Sequence, residues 1–276
     1  MSNITETARD WSAVAAAWDA NVDEVDDHSI AATDALLDRV AVQPGDSVLE
    51  LAAGPGSLGP TWSRLAGTTG SVVISDIAPA MVDVAKRRNT ALGNITVTVL
   101  DASAIDQADA AFDVVACRMG LMFTPEPSVA FAEIHRVLAP GGRLGALTWG
   151  PLQHNPWMTC VGMAAMINGL VAGGPPIGPG GIFSLSDPDQ LETLVATAGF
   201  VDVTVEEFAI IFRAESIDAH IERVSSLAGP LATILQHASV EQRAAVRRTA
   251  ADLAAAHLTT DGLVIPGQAL LVSARR

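Results

Sequence analysis

Val48-Leu49-Glu50-Leu51-Ala52-Ala53-Gly54-Pro55-Gly56-Ser57-Leu58-Gly59 is the stretch that decides the fold. It reads as a strand, a glycine-rich turn and a helix start. Glycines let the backbone approach a ligand closely, and the first turn of a helix offers unpaired N–H groups. Gly54, Gly56 and Gly59 fit the pattern G-x-G-x-x-G. Asp76 stands where a dinucleotide-binding fold places the acid that holds a ribose. Taken alone, the pattern describes an NAD- or FAD-dependent oxidoreductase.

Outward from this stretch, short apolar runs alternate with longer helix-like segments. The runs lie at 47–52, 71–76, 95–100, 112–117 and 143–149, and the intervening helices at 57–65, 79–92 and 127–138. Short β-branched runs suit buried parallel strands. Pro140-Gly141-Gly142 is a turn ahead of the fifth strand. Two later strands, 201–212 and 263–274, flank a helical stretch from 216 to 258 and are expected to pair antiparallel at one sheet edge. The first forty residues read as one or two helices, with Trp11 and Trp18 on a shared face. The expected fold is a doubly wound, Rossmann-like α/β sheet of seven mostly parallel strands with the last antiparallel, plus N-terminal helices and a helical cap. One domain spans 1–276. It comprises N-terminal helices (1–43), a ligand-binding core (44–150), a pocket-covering insertion (151–190) and C-terminal strands (191–276) with a helical insertion at 214–258.

Composition removes several chemistries. Sixteen basic against thirty-one acidic residues give a net charge of −15, and there is no basic tract. A nucleic-acid partner is therefore not expected, since phosphate contacts need clustered Lys and Arg. Lys86 is the only lysine, and it sits in Ala-Lys-Arg rather than a Walker A loop. Tyrosine is absent, so tyrosine acid–base chemistry is excluded. Cys117 and Cys160 form no CxxC pair, and free thiols suit a reducing cytoplasm. The N-terminus shows no signal-peptide pattern. No Asp, Glu, Lys or Arg occurs between Arg143 and Asp187. Within that span, 157–174 approaches the length of a membrane helix. Asn168, several glycines and the lack of a basic flank favour a buried or pocket-covering helix, without membrane insertion.

Three features oppose the dinucleotide reading. Glu50 ends the first strand, where it would repel a pyrophosphate and suit an ammonium group. Asp101 ends the third strand, so that Glu50, Asp76 and Asp101 face one crevice at the carboxyl ends of parallel strands. The late strand pair suits another doubly wound family. On these residues the chain resembles class I S-adenosylmethionine-dependent methyltransferases, close to the ubiquinone/menaquinone-biosynthesis-like small-molecule group. Glu50 with Gly54 and Gly56 supplies the first motif, although the often-glycine position two after the acid is Ala52. Asp76-Ile77-Ala78-Pro79-Ala80-Met81 supplies the second and Asp101-Ala102 the third. Phe112-Asp113-Val114-Val115, with Arg118-Met119-Gly120 after it, is the fourth, and 136–144 the fifth. Ala198-Gly199-Phe200 precedes the sixth strand. The likeness is strong over 40–147 and moderate over 186–274.

The resemblance implies S-adenosylmethionine as the cofactor. Asp76 would accept from both ribose hydroxyls, its bland alternative being a cap on the next helix. Ile77 and Met81 would pack on adenine. Asp101 would accept from the adenine amino group, or act only as a turn acid, and Ala102 would offer its backbone N–H. Glu50, Ala52, Gly54 and Gly56 would surround the methionine end. Arg118 would serve the cofactor carboxylate or the substrate, or pair with a nearby acid. Methyl transfer needs alignment above all, and a base only where the acceptor must lose a proton. His154, in the loop after strand five, is the candidate base. His135 lies on the outer face of the sheet, and His28, His220, His237 and His257 are expected at the surface. The acceptor site is assigned to Trp18, Met119, Met122 and His154, under an uncharged cover at 156–183, while the N-terminal helices bearing Trp11 and Trp18 are expected to fold over the cofactor. The alternatives for that cover are ordinary core and a homodimer contact. The expected acceptor is a small hydrophobic or aromatic molecule, methylated on oxygen first, with carbon or nitrogen as alternatives. No cluster has metal-ligand spacing, and magnesium held by loop carboxylates stays open. The competing classes are the oxidoreductase and a non-catalytic binding protein on the same fold.

Overall fold

The computed structural model describes residues 2–171 and 177–276. Two helices lead the chain, α1 (Ser2–His28) and α2 (Ile30–Val40). The alternating half comes next: β1 (Ser47–Leu51), α3 (Gly59–Ala66), β2 (Ser71–Asp76), α4 (Pro79–Asn89), β3 (Ile95–Val99), β4 (Phe112–Arg118), α5 (Pro127–Val137) and β5 (Leu138–Trp149). Then come α6 (Pro156–Ile167), α7 (Pro188–Thr197), β6 (Val201–Ala214), α8 (Ile217–Leu227), α9 (Gly229–His237), α10 (Val240–Ala254), β7 (Leu258–Thr259) and β8 (Gly262–Arg275).

The sheet order is β3-β2-β1-β4-β5-β8-β6, with β7 paired to β8 off this path. Strands β1 to β5 run parallel. Strand β8 is antiparallel to both of its neighbours, β5 and β6. The late strands therefore pair antiparallel at the edge, and the mostly parallel sheet of the sequence reading is observed. An eighth strand, β7, adds a two-residue hairpin onto β8.

Period-two alternation explains why the central strands are apolar throughout. Leu49 and Leu51 of β1 join Val115, Phe131, Ile134 and Leu144 on one face. Val48, on the opposite side of the pleat, joins Leu36, Trp62, Ile74 and Leu147 on the other. Helices cover both faces, so no side of β1 meets water. Residues 112 to 118 and 138 to 149 pair with a register shift between Phe112 and Val114. That irregularity absorbs the Pro140-Gly141-Gly142 turn inside β5 rather than ahead of it, and Gly141 takes a left-handed φ of 77° there.

The helical stretch at 216–258 is three helices, and local chemistry sets the breaks. Pro230 stands in the first turn of α9. Ser239 caps α10 in a reciprocal box with Gln242. With α6, these helices build a separate apolar cluster that includes Trp157, Val161, Ile221, Val224 and Val246. Residues 172–176 of the expected cover lie outside the described residues. Among the described residues no helix is long and apolar enough to cross a membrane.

Candidate active site

The carboxyl ends of β1, β2 and β4 form the floor of the site. Glu50 is buried, and its Oε2 has no hydrogen-bond partner among the described residues. Burial pushes its pKa up to about 7, with the charge of Arg118 opposing the shift. A carboxylate so placed gains strongly from a cationic group beside it. Asp76, also buried, accepts from Gly54 N at 2.9 Å through Oδ2 and from Ala78 N at 2.8 Å through Oδ1. Burial raises its pKa, and those backbone bonds pull it back. Ile77 N–H also faces the carboxylate, which still keeps acceptor capacity among its four lone-pair sites. Asp101 accepts from Ser103 N at 2.8 Å, which fixes a turn while the residue lines the cavity.

The loop backbone is held from behind. Asn89 of α4 donates to Gly56 O at 3.0 Å. A Cβ on Gly56 would meet Ala85 Cβ at 2.8 Å, so this close approach needs glycine. Ala52 adopts a left-handed φ of 50° without the freedom of glycine, and Met119, after β4, does likewise at 58°. Left-handed backbone in residues with a Cβ costs about 1 kcal/mol or more. Both strained residues flank the crevice where β1 and β4 end.

Above the floor, one cavity of about 600 Å³ continues into the cap. Its upper walls come from α1, α6, α8 and α9 and from Trp149 and Phe212. Trp157 stacks on Phe212 at 4.3 Å between ring centres and lies 4.6 Å from Trp149. Asn155 anchors this cluster. Its amide donates to Gly150 O and Pro151 O, and its carbonyl accepts from Trp157 Nε1 and Gln268 N. Helix α1 closes the opposite side. Trp18 Nε1 donates to Leu227 O at 2.9 Å, and Trp11 packs edge-on against Phe123. Ion pairs pin α1 to the body: Asp19 to Arg87 and Arg88, Glu24 to Arg223, and Asp26 to Arg118 at 2.7 Å. Arg118 also donates to Ser57 Oγ at 2.9 Å. The arginine thus links α1 to the glycine loop.

Glu50, Ala52, Gly54, Asp76, Ile77, Met81, Asp101, Ala102, Arg118, Met119 and Trp18 all line this cavity. Three candidates from the sequence do not. Gly56 backs the loop against α4. Met122 is fully buried in the core below, because a short 3₁₀ turn at Leu121–Phe123 rotates it inward. His154 is exposed and bonds Gln268 Oε1 at 2.8 Å, so the assignment of a base there is corrected. The reverse error concerns His220. Expected at the surface, it is buried on the inner face of α8 and lines the cavity. Its position among Ile217, Ile221 and Val224 at helical spacing is the signal that would have found it. His28 lines the cavity too. Cys117 is buried with its thiol pushed up to about 12, an inert core group. Among the described residues no cluster of His, Cys, Asp and Glu has the makings of a metal site.

Residues 48–142 match the family described as "Methyltransferase domain". The Ubiquinone/menaquinone biosynthesis C-methyltransferase UbiE of Hydrogenovibrio crunogenus is 39% identical over 114 residues, covering 40% of this chain and 45% of its own length. The chain thus spans about half the length of the curated relatives it matches. Two solved structures share the fold. The YcgJ protein of Bacillus subtilis aligns with a TM-score of 0.60 at 18% identity, over 88% of this chain and 97% of that one. The [4+2]-cyclase SpnF aligns with a TM-score of 0.56 at 22% identity, over 88% and 79%. The resemblance to class I S-adenosylmethionine-dependent methyltransferases of the ubiquinone/menaquinone group is thus supported by the domain match at residues 48–142 and by these relatives.

Proposed function

We propose that the segment matching a methyltransferase domain works with its helical cap as a small-molecule enzyme, moving a methyl group from S-adenosylmethionine to an apolar, aromatic acceptor. The carrying observation is the continuous cavity that joins an acid-lined floor to an aromatic cap. The residues of the floor fit the cofactor. Glu50, buried with an unpartnered oxygen, suits the cationic amino acid end. Asp76 retains acceptor capacity for a ribose diol, and Ile77, Met81 and Leu100 supply apolar surface for a purine beside Asp101. When bound, the cofactor supplies a methyl group already activated by a positively charged sulfur. The chain's own work is then alignment and water exclusion. Trp18 and Trp157 wall the cavity above the floor, and the ion pairs of α1 hold that wall down.

The strand order supports this reading over the dinucleotide one. A dinucleotide fold runs 3-2-1-4-5-6 in a mostly parallel sheet with no strand inserted between the fifth and sixth. Here an antiparallel strand, β8, is inserted between β5 and β6. The name of the relatives specifies carbon as the methylated atom, whereas the aromatic cap is equally suited to an oxygen acceptor. Isothermal calorimetry tests the cofactor: S-adenosylhomocysteine binds saturably and NAD does not. Saturable NAD binding with no S-adenosylhomocysteine binding overturns the proposal. Product analysis with hydroxylated aromatic acceptors then separates carbon from oxygen methylation.

A further inference from the structure

The cap half of the cavity is mostly apolar, and the corner where α1, α8 and β6 meet departs from that. Two imidazoles stand there, His28 and His220. Their tautomers are fixed by backbone partners. His220 Nε2 lies 2.6 Å from Trp157 O. A carbonyl can only accept, so Nε2 carries the hydrogen and Nδ1 is left with a lone pair. Burial, with Arg223 and His28 nearby, pushes the His220 pKa down against the opposing pull of the Trp157 carbonyl and so disfavours the charged ring. His28 is the mirror case. Arg213 N donates to its Nε2 at 3.1 Å, so its hydrogen sits on Nδ1. Stacking on Phe212, at 5.1 Å between ring centres, fixes the plane of that ring. Arg223 does not compete for either nitrogen, since its guanidinium is taken by Glu24 and by Arg213 O.

We propose that this corner is a hydroxyl-recognition site for the acceptor. His220 Nδ1 accepts from a hydroxyl on an aromatic skeleton, and His28 Nδ1–H supplies a donor on the same wall. Two rings with opposite tautomers offer one acceptor and one donor, the complement that a single hydroxyl requires. An apolar pocket cannot by itself favour a hydroxylated ligand, whereas a buried acceptor that the ligand alone can satisfy does so strongly. For the chemical step, the inference rests on the methyl-transfer reading. The hydroxyl O–H bond breaks as its proton forms a bond to Nδ1. The oxygen keeps that electron pair and bonds the methyl carbon, while the carbon–sulfur pair stays on sulfur. A weak base is sufficient, because the proton becomes strongly acidic only as the oxygen gains its methyl group. In carbon methylation the same proton loss enriches the ring.

The test uses 2-naphthol and 2-methylnaphthalene, which match in shape and differ in the hydroxyl, with affinities read from tryptophan fluorescence. Wild-type protein binds 2-naphthol about tenfold more tightly. His220→Phe removes that preference and leaves 2-methylnaphthalene affinity within about threefold. His220→Gln, which keeps a donor for Trp157 O and an amide oxygen that can accept, guards against loss of fold and keeps more of the preference than His220→Phe. In the wild type, ¹⁵N imidazole spectra show His220 Nδ1 as an unprotonated nitrogen that shifts with 2-naphthol and not with 2-methylnaphthalene. Equal wild-type affinities, a preference surviving His220→Phe, or an unmoved Nδ1 signal overturns the proposal. S-adenosylhomocysteine affinity is measured alongside and is unchanged in both variants. If it fails to bind wild-type protein while the naphthol preference holds, the methyl-transfer reading falls and the hydroxyl site stands.

Discussion

The two ends of the cavity are built on opposite principles. The floor concentrates unfavourable features: a buried acid with an unpartnered oxygen, two left-handed residues carrying a Cβ, and a second buried acid held by backbone amides. The cap carries few of them. Its rings stack, and Asn155 has both its donor and acceptor sides satisfied. The difference teaches where binding energy comes from. A floor with stored cost is relieved by a charged, hydrogen-bonding ligand, and it ties affinity to instability. A cap whose groups are satisfied, His220 Nδ1 apart, selects mainly by shape and supports the fold at the same time.

That contrast can be broken by single substitutions. The largest expected effect is in the cap. Trp157→Ala lowers the unfolding free energy by about 3–5 kcal/mol in chemical denaturation, the usual cost of removing a buried aromatic ring. S-adenosylhomocysteine affinity stays within about threefold, as expected for independent sites, and a parallel loss would mean the two ends are one unit. At the floor, Asp76→Ala weakens S-adenosylhomocysteine by roughly a hundredfold, about 3 kcal/mol for bonds to a charged acceptor. Wild-type affinity in calorimetry would remove Asp76 from the ribose.

Glu50→Gln tests the stored cost directly. The wild-type carboxyl, raised to about 7, holds a proton when folded that it has lost when unfolded. Stability of the ligand-free protein therefore falls as pH rises from about 4.5 to about 7. The variant should be more stable above that window by up to about 3 kcal/mol, and no more stable than wild type below it. Urea titrations at about pH 4 and about pH 8, on either side of the window, decide this. A pH-independent difference would locate the cost elsewhere. The smallest effect is at Ala52. Ala52→Gly relieves the left-handed strain and raises the melting temperature slightly, by about 1 kcal/mol of stability or less. A lowered melting temperature would mean the Cβ of Ala52, packed toward Gly120, is worth more than the strain.

The same contrast governs what the sequence reveals. The floor is made of residues close along the chain, 50–54, 76–81, 101–102 and 118–119, each at a strand end. Strand periodicity and a loop motif are enough to locate them. The sheet is legible for the same reason, since each strand is a local apolar run. The cap draws Trp18, Trp157, Phe212 and His220 from four distant segments, and no spacing connects them. His154 misleads because nearness to a strand end in sequence does not specify direction, and a 3₁₀ turn sends it toward Gln268. His220 shares an apolar helical face with Ile217, Ile221 and Val224, which marks it as inward, but the carbonyl that Trp157 brings to it comes from a distant segment and leaves no local sign.

The position of β8 sets an order of assembly. Among the described residues, strand β6 pairs with β8 alone, and β8 joins it to β5. During vectorial synthesis β6 emerges with nothing to pair with until β8 arrives, after α8, α9, α10 and β7 have been made. The five parallel strands can collapse while this edge waits as an unpaired ribbon. Closure of the edge is a long-range, late event of the kind that slows folding and exposes strands to other chains. Three helices lie between the two strands, and early formation of those helices would keep the waiting ribbon tethered near its partner's eventual place.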